Sequence, residues 1–309
     1  MKGGLPFALL ALAAAQAFSG TARAQQAGQP QVTARWLFSN DTDNFSSERV
    51  ALGYLWSNGW GLEARASHFS SPGWSADGQT LSGVYRSHTE DTQIDARLGL
   101  DQTRHSSSMA GMLDAMHRLT PDTSAGVSLE RDVVDSVVSI DNHIRYTAAA
   151  AVLDHAFTDR ANVGASLGNI WYSDGNQRRL LRTRWNYEVV KDSGLNAYVK
   201  TRHFWDTDPY NGYYFAPDRV QEYSVGMSWR TALTDSVVLV AQGDGGRQFI
   251  DGEGQGLWYA QIGLESRPRA PVQWRVAFEV RNDAGSARDP NATNYRYSML
   301  AGYLLFPLK

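Results

Sequence analysis

The chain has 309 residues, of which 42% are hydrophobic and 11% aromatic, with 28 glycines, 10 tryptophans and no cysteine. That much apolar surface excludes a disordered chain, and the missing cysteines exclude disulfides, zinc–thiolate sites and thiol nucleophiles. A mean hydropathy of -0.40 is too polar for a helical membrane bundle, and a formal net charge of -3 gives no electrostatic case for nucleic acid as a partner.

The chain opens with the pattern of an export signal. Lys2 precedes an apolar run from Leu5 to Phe18, and Ala22-Arg23-Ala24 puts small residues at the two positions that a signal peptidase needs. The run is short for a membrane span, which takes roughly 20 residues. The expected organisation is a signal peptide over 1–24 cleaved after Ala24, a short periplasmic leader over 25–30, and one domain over 31–309.

Beyond the leader the pattern is alternation. Strands put successive side chains on opposite faces, so one parity carries the apolar residues. In 93–101, Ile94, Ala96, Leu98 and Leu100 oppose Gln93, Asp95, Arg97 and Asp101; in 272–281, Val272, Trp274, Val276, Phe278 and Val280 oppose a polar set. Sixteen such runs are predicted near 31–39, 46–56, 60–69, 79–89, 91–101, 106–118, 122–131, 143–156, 160–172, 177–190, 194–206, 218–231, 235–244, 255–266, 271–282 and 293–306. The ten prolines fall in the signal, in turns or at strand ends, where a missing N–H costs no ladder bond.

Connections are expected to alternate in length. Tight turns such as Ser57-Asn58-Gly59, Thr89-Glu90 and Asp192-Ser193 are predicted between longer polar or glycine-rich segments at 70–78, 132–142, 207–217, 245–254 and 283–292. An even strand count with short turns at one end is the pattern of an all-β outer-membrane barrel, closed, antiparallel, about 16-stranded, with both termini periplasmic and no cofactor or metal. A soluble propeller or sandwich is the alternative fold. Outer-membrane lipid is then a partner, and the closing Tyr303-Leu304-Leu305-Phe306 resembles the aromatic signal read by the barrel-assembly machinery, although the last residue is Lys309.

If the apolar parity meets lipid, the other lines the lumen. The candidates are Arg97, Arg182, Arg184, Glu188, Lys200, Arg202, Arg275, Glu279 and Arg281, with Arg35, Arg49, Glu63, Arg65 and Arg296 on the same parity. Such charges either guide a hydrophilic solute or pair across strands and stiffen the wall. Tyr198, Phe204 and Tyr259 share that face and could stack on sugar rings.

Two outer segments stand out. One reads Glu130-Arg131-Asp132-Val133-Val134-Asp135-Ser136, the other Asn211-Gly212-Tyr213-Tyr214-Phe215-Ala216-Pro217-Asp218. With Arg131, Asp135 and Ser136 in the first and Tyr213, Phe215 and Pro217 in the second, they resemble loops in the C-terminal barrels of bacterial exopolysaccharide exporters. Those are the porins for cellulose and poly-N-acetylglucosamine, together with the YaiO family. The resemblance implies passage of a polysaccharide through a sixteen-stranded barrel. Residues 25–30 leave no room for the helical-repeat arm of the large exporters, so a periplasmic scaffold would have to be a separate partner.

Catalytic signals are weak, and no catalytic residue is expected. Ser57-Asn58-Gly59 matches a motif of outer-membrane phospholipases but suits a hairpin turn equally. A Ser/His/Asp set could form from Ser136, Asp132 or Asp135, and His88 or His105, both expected near outer loops. Asp41-Thr42-Asp43-Asn44 lacks the glycine and distal glutamate of a calcium loop. A channel is the leading expectation, with a lipid hydrolase or a structural or adhesion barrel as alternatives.

Overall fold

The computed structural model describes residues 29–268, 270–282 and 295–308. Sixteen strands form one closed antiparallel sheet in which each pairs with its neighbours in the sequence and the first pairs with the last. They are β1 (Gln31–Asp41), β2 (Ser46–Leu55), β3 (Trp60–Ser71), β4 (Trp74–His88), β5 (Thr92–Thr103), β6 (Ser106–Thr120), β7 (Thr123–Val133) and β8 (Arg145–Ala156). The second half runs β9 (Ala161–Tyr172), β10 (Gln177–Val190), β11 (Leu195–Asp206), β12 (Arg219–Ala232), β13 (Val237–Ile250), β14 (Glu253–Ser266), β15 (Gln273–Arg281) and β16 (Tyr297–Pro307). One short helix, α1 (Val137–Asp141), lies between β7 and β8. No helix among the described residues is long and apolar enough to cross a membrane. Closure leaves no strand edge unpaired, which is the condition for strands to cross lipid.

With the exception of Arg296, the parity expected from the sequence is the parity observed. On β5, Leu98 and Leu100 are 60% and 69% exposed, whereas Asp101 between neighbouring strands is buried. Leu81, Leu167, Val225 and Ile262 continue this apolar outer band. Aromatic residues border it. Trp56, Trp60, Phe157, Trp185, Tyr187 and Trp229 stand at the tight-turn end, and Phe38, Trp171, Trp205 and Tyr223 stand toward the other. Such girdles mark the two interfaces of a membrane barrel.

The expected loops at 132–142 and 207–217 are present, but 70–78 and 245–254 are not loops. There β3 runs to Ser71 and β4 starts at Trp74, and β13 runs to Ile250 and β14 starts at Glu253, leaving two-residue turns. Glycines in these segments serve the ladder and the tight turns and do not form loops. Gly246 sits in the ladder opposite Ser224 because the strands approach closely: a Cβ built on it would lie 1.9 Å from the Tyr223 carbonyl oxygen. The turn residues Gly73 and Gly252 carry φ of +75° and +97°, which suits glycine. The expected signal, most of the leader and the 283–292 segment lie outside the described residues.

Candidate functional site

The barrel's buried apolar core lies inside it, at the end where the two long loops emerge. On β9 to β13 the inward positions nearest that end are Ile170, Tyr172, Leu180, Phe204, Val220 and Ile250, all buried. Tyr214 stacks on Tyr172 with ring centroids 4.3 Å apart, and Phe215 meets Phe204 edge-on at 6.4 Å. Because their partners face inward, the loop over 207–218 is folded into the barrel. Helix α1 does the same on the other side: Val137 and Ile140 pack with Phe45, Phe69, Ala76 and Val133.

The two loops meet. Ser136 caps α1 by accepting the Ser139 N–H at 2.9 Å, and its hydroxyl donates to the Tyr213 carbonyl at 2.7 Å. Ser139 donates to the same carbonyl at 2.9 Å. Side chains of the wall then hold each loop. Arg178, fully buried, pairs with Asp206 at 2.9 Å and donates to the Phe215 carbonyl at 2.6 Å. Arg49 reaches Asp135 at 2.5 Å, and Trp74 and Arg104 both bind Asp141. Asn176 donates to the Tyr214 hydroxyl at 3.1 Å, which in turn donates to Asp174 at 3.0 Å. Burial pushes the Asp135 carboxyl up to about 6 against the opposing pull of Arg49, and it also pushes the Tyr214 phenol up. This is a bridge across the loop end of the barrel, built from apolar packing and a few buried polar bonds.

Around and beneath the bridge the inward wall is polar and largely ion-paired. Arg65 binds Asp132 at 2.7 Å across β3 and β7, and Arg145 binds Asp101 at 3.0 Å. Arg97 approaches Glu63 at 3.5 Å, and Glu63 also accepts from Arg35. On the facing wall Arg202 binds Glu222, and Lys200 and Tyr198 share Asp244 at 2.9 and 2.8 Å. Arg184 lies 3.9 Å from the Tyr198 ring centre and donates to Asn186, while Arg182 is buried beside it. Arg275 faces Glu265 at 3.9 Å, and Arg281 faces Glu279 at 3.8 Å and the Tyr297 ring at 4.8 Å. Tyr259 donates to Glu279 at 3.3 Å and takes Lys200 over its ring. Glu188 lies apart from this set, at the tight-turn end, where it accepts the Gly194 N–H.

Several sequence-predicted residues lie elsewhere than expected. Arg131 is on β7, not in a loop, and faces outward, donating to the Met109 carbonyl and Thr147. Arg296 is exposed on the parity opposite to the lumen set. His88 ends β4 at the tight-turn end, bound to Asp95, so it is remote from Asp135 and Ser136. Ser136 is fully buried, with its hydroxyl engaged as a cap. Ser57-Asn58-Gly59 is a turn, in which Asn58 accepts the Trp60 N–H and Gly59 has φ +84°. Asp41 accepts the Asp43 and Phe45 N–H groups, so that segment closes on itself. Among the described residues no group of three or more His, Asp or Glu side chains is arranged to hold a metal.

The strands under the bridge carry apolar residues on both faces. Apolar doublets, Ile170-Trp171, Leu180-Leu181, Phe204-Trp205 and Phe249-Ile250, all sit at the loop ends of their strands. Doublets stand at tight-turn ends as well, Val189-Val190 on β10, Val237-Val238 on β13 and Leu304-Leu305 on β16, so the pattern accompanies the bridge without locating it.

Together these features define an outer-membrane-type β-barrel of sixteen strands whose loop end is bridged by two inward-folded loops. Comparison of the fold places it beside known barrels of that class. A structure described as "Bacterial polysaccharide outer membrane secretin" superposes with a TM-score of 0.67 at 11% identity, covering 92% of this chain and all of that one. CdiB from Acinetobacter baumannii gives a TM-score of 0.50 at 12% identity over 92% of this chain and 61% of that one. OccK7 (OpdD) of Pseudomonas aeruginosa gives 0.47 at 10% identity. At these identities the likeness is one of fold. No protein-family model matches the sequence, and no curated protein matches it.

Proposed function

We propose that this chain is an outer-membrane channel for a hydrophilic solute, of the kind that passes an exopolysaccharide. The observation that carries the reading is the closed sixteen-strand wall with a polar, ion-paired inner face capped by docked loops. A lumen lined with charge on every side suits a solute that exchanges hydrogen bonds with water. Arg97, Arg182, Arg184, Lys200, Arg202, Arg275, Glu279 and Arg281 are its lining, with Glu188 at the tight-turn mouth. Tyr198, Phe204 and Tyr259 offer ring faces to a sugar. The motif residues Asp135, Ser136, Tyr213, Phe215 and Pro217 belong to the bridge that must move for a polymer to pass.

In this reading the signal is cleaved after Ala24, the tight turns and both termini face the periplasm, and the bridged end faces outward. The three longest connections, all at one end, support that orientation, although the other connections at that end are as short as the tight turns. The polysaccharide secretin named above lends the substrate class. A hydrolase is disfavoured because Ser136 is buried as a helix cap and His88 is at the opposite end. Conductance in planar bilayers tests the proposal, with wild type compared to a variant lacking 137–141 and 210–215. Single-channel currents that rise in the deletion variant are expected. A deletion variant that folds, shown by heat-modifiable migration, yet passes no current would overturn it.

A further inference from the structure

We propose that the outer face of β10–β13, at the loop end, binds the phosphate groups of a saccharolipid in the surrounding leaflet. This rests on the orientation above, in which the loop end lies at the outer leaflet.

Four lipid-facing arginines lie on the wall from β7 to β13, and three of them, Arg179, Arg219 and Arg247, are grouped on β10, β12 and β13. All three are exposed, and among the described residues none of their guanidinium groups has a carboxylate partner. The register sets Arg179 and Arg219 on either side of Trp205 and places Arg247 one strand over and four residues deeper than Arg219. Arg179 is opposite Trp205, Trp205 is opposite Arg219, and Arg247 is opposite Tyr223, which lies on the same strand as Arg219. Neighbouring strands are about 4.8 Å apart, so Arg179 and Arg219 flank one indole within roughly 10 Å.

Their depth is informative. Arg179 is the third residue of β10, Arg219 the first of β12, and Arg247 lies near the end of β13. That is the level of the Trp171, Trp205 and Tyr223 girdle, where a membrane interface would lie. No outward position on these four strands is acidic. The acids of the same strands point inward and are occupied: Asp206 by Arg178 and Glu222 by Arg202, with the sheet between them and the outer arginines. At the rim, Asp251 accepts the Tyr210 hydroxyl and the Arg219 backbone N–H. A cation on the lipid face costs free energy that declines toward the interface, and a guanidinium binds phosphate bidentately. An anionic headgroup is the partner that converts these exposed charges into bonds.

The test uses the full-length protein in detergent and native mass spectrometry with three probes: diphosphorylated lipid A, the same lipid with its phosphates removed, and inorganic phosphate. Wild type is expected to retain the diphosphorylated lipid about tenfold better than the dephosphorylated one. R179Q/R219Q/R247Q should lose that preference and R179K/R219K/R247K should recover part of it. Equal retention of both lipids by wild type, or full retention by the glutamine variant, overturns the proposal. Displacement of the lipid by millimolar phosphate would overturn the lipid source in favour of a free-phosphate site. Should the triple variant not show heat-modifiable migration, the single variants carry the test, each expected to weaken retention about twofold. Orientation is read separately by labelling N211C on intact cells with an impermeant maleimide. Labelling without lipid preference sinks this inference alone, and lipid preference without labelling sinks the orientation.

Discussion

Replacing Arg178 by methionine should release the loop over 207–218 and open the bridged end. The wild-type guanidinium is fully buried, forms a two-oxygen contact with Asp206 and donates to the Phe215 carbonyl, with the Phe204 ring 4.4 Å from its centre. Methionine fills similar space but leaves the buried Asp206 carboxylate without its cation. Breaking a buried pair in this way costs about 3–5 kcal/mol, and the orphaned Phe215 carbonyl adds about 1–3 kcal/mol. Arg178 and Asp206 face each other across β10 and β11 and both stay in the wall; undocking lets water reach the bared carboxylate, so the cost falls on the docked state. Even about 3 kcal/mol shifts a docked-to-undocked ratio by roughly 150-fold. The assay is single-channel current together with protease cleavage after Tyr210 or Tyr213 in reconstituted vesicles. R178M should conduct more and be cut faster, and R178M/D206L, which removes both charges, should recover protection. Unchanged current and unchanged cleavage in R178M would refute the view that Arg178, held by Asp206, latches the loop through the Phe215 carbonyl.

Acidification should tighten the bridge. Asp135 has its carboxyl raised from 3.8 to about 6 by burial, so the docked loop binds a proton that the undocked loop does not hold at the same pH. That contribution to docking is fully present below pH 3.8 and is lost as pH rises through about 6; conductance should fall between pH 7 and pH 4.5, and D135N should flatten the change. R182E/R184E reverses two charges on the proposed lining, and the reversal potential in a salt gradient should move toward cation selectivity. G246V should block barrel assembly, because its added carbon meets the Tyr223 backbone at 1.9 Å, whereas G256V, with nothing within 4 Å, should assemble normally. Heat-modifiable migration separates the two glycine variants.

Alternation made the fold readable because a lipid-facing wall imposes one rule on every strand. Leu98 and Leu100 face out beside Asp101 facing in, and the sixteen runs follow from repeating that observation. Glycines hid the ends of β13 and β14, since composition cannot distinguish a glycine that a turn needs, such as Gly252, from one that a neighbouring backbone needs, such as Gly246. The bridge was less readable still. Asp135, Ser136, Tyr213 and Phe215 attract notice as motif residues, but their chemistry comes from partners far away in the chain, 77 positions in the case of Ser136 and Tyr213. Arg178 carries no motif at all, and only its contact with the Phe215 carbonyl reveals its role. Local pattern specifies a wall; what the wall encloses depends on contacts that no window of sequence contains.

The seam between the first and last strands has a topological consequence. Gln31 pairs with Pro307, the ladder continues without a register shift to Asp41 and Tyr297, and the Leu308 N–H donates to the Pro30 carbonyl at 2.8 Å. Seen from inside the sheet, that joint is one of sixteen equivalent hairpin-like joints, distinguished by lacking a peptide linker. The chain is therefore cyclic in everything but covalent connection. A permuted gene that joins the two ends by a short linker and starts instead within the Ser57-Asn58-Gly59 turn should encode the same barrel, with its last strand now β2.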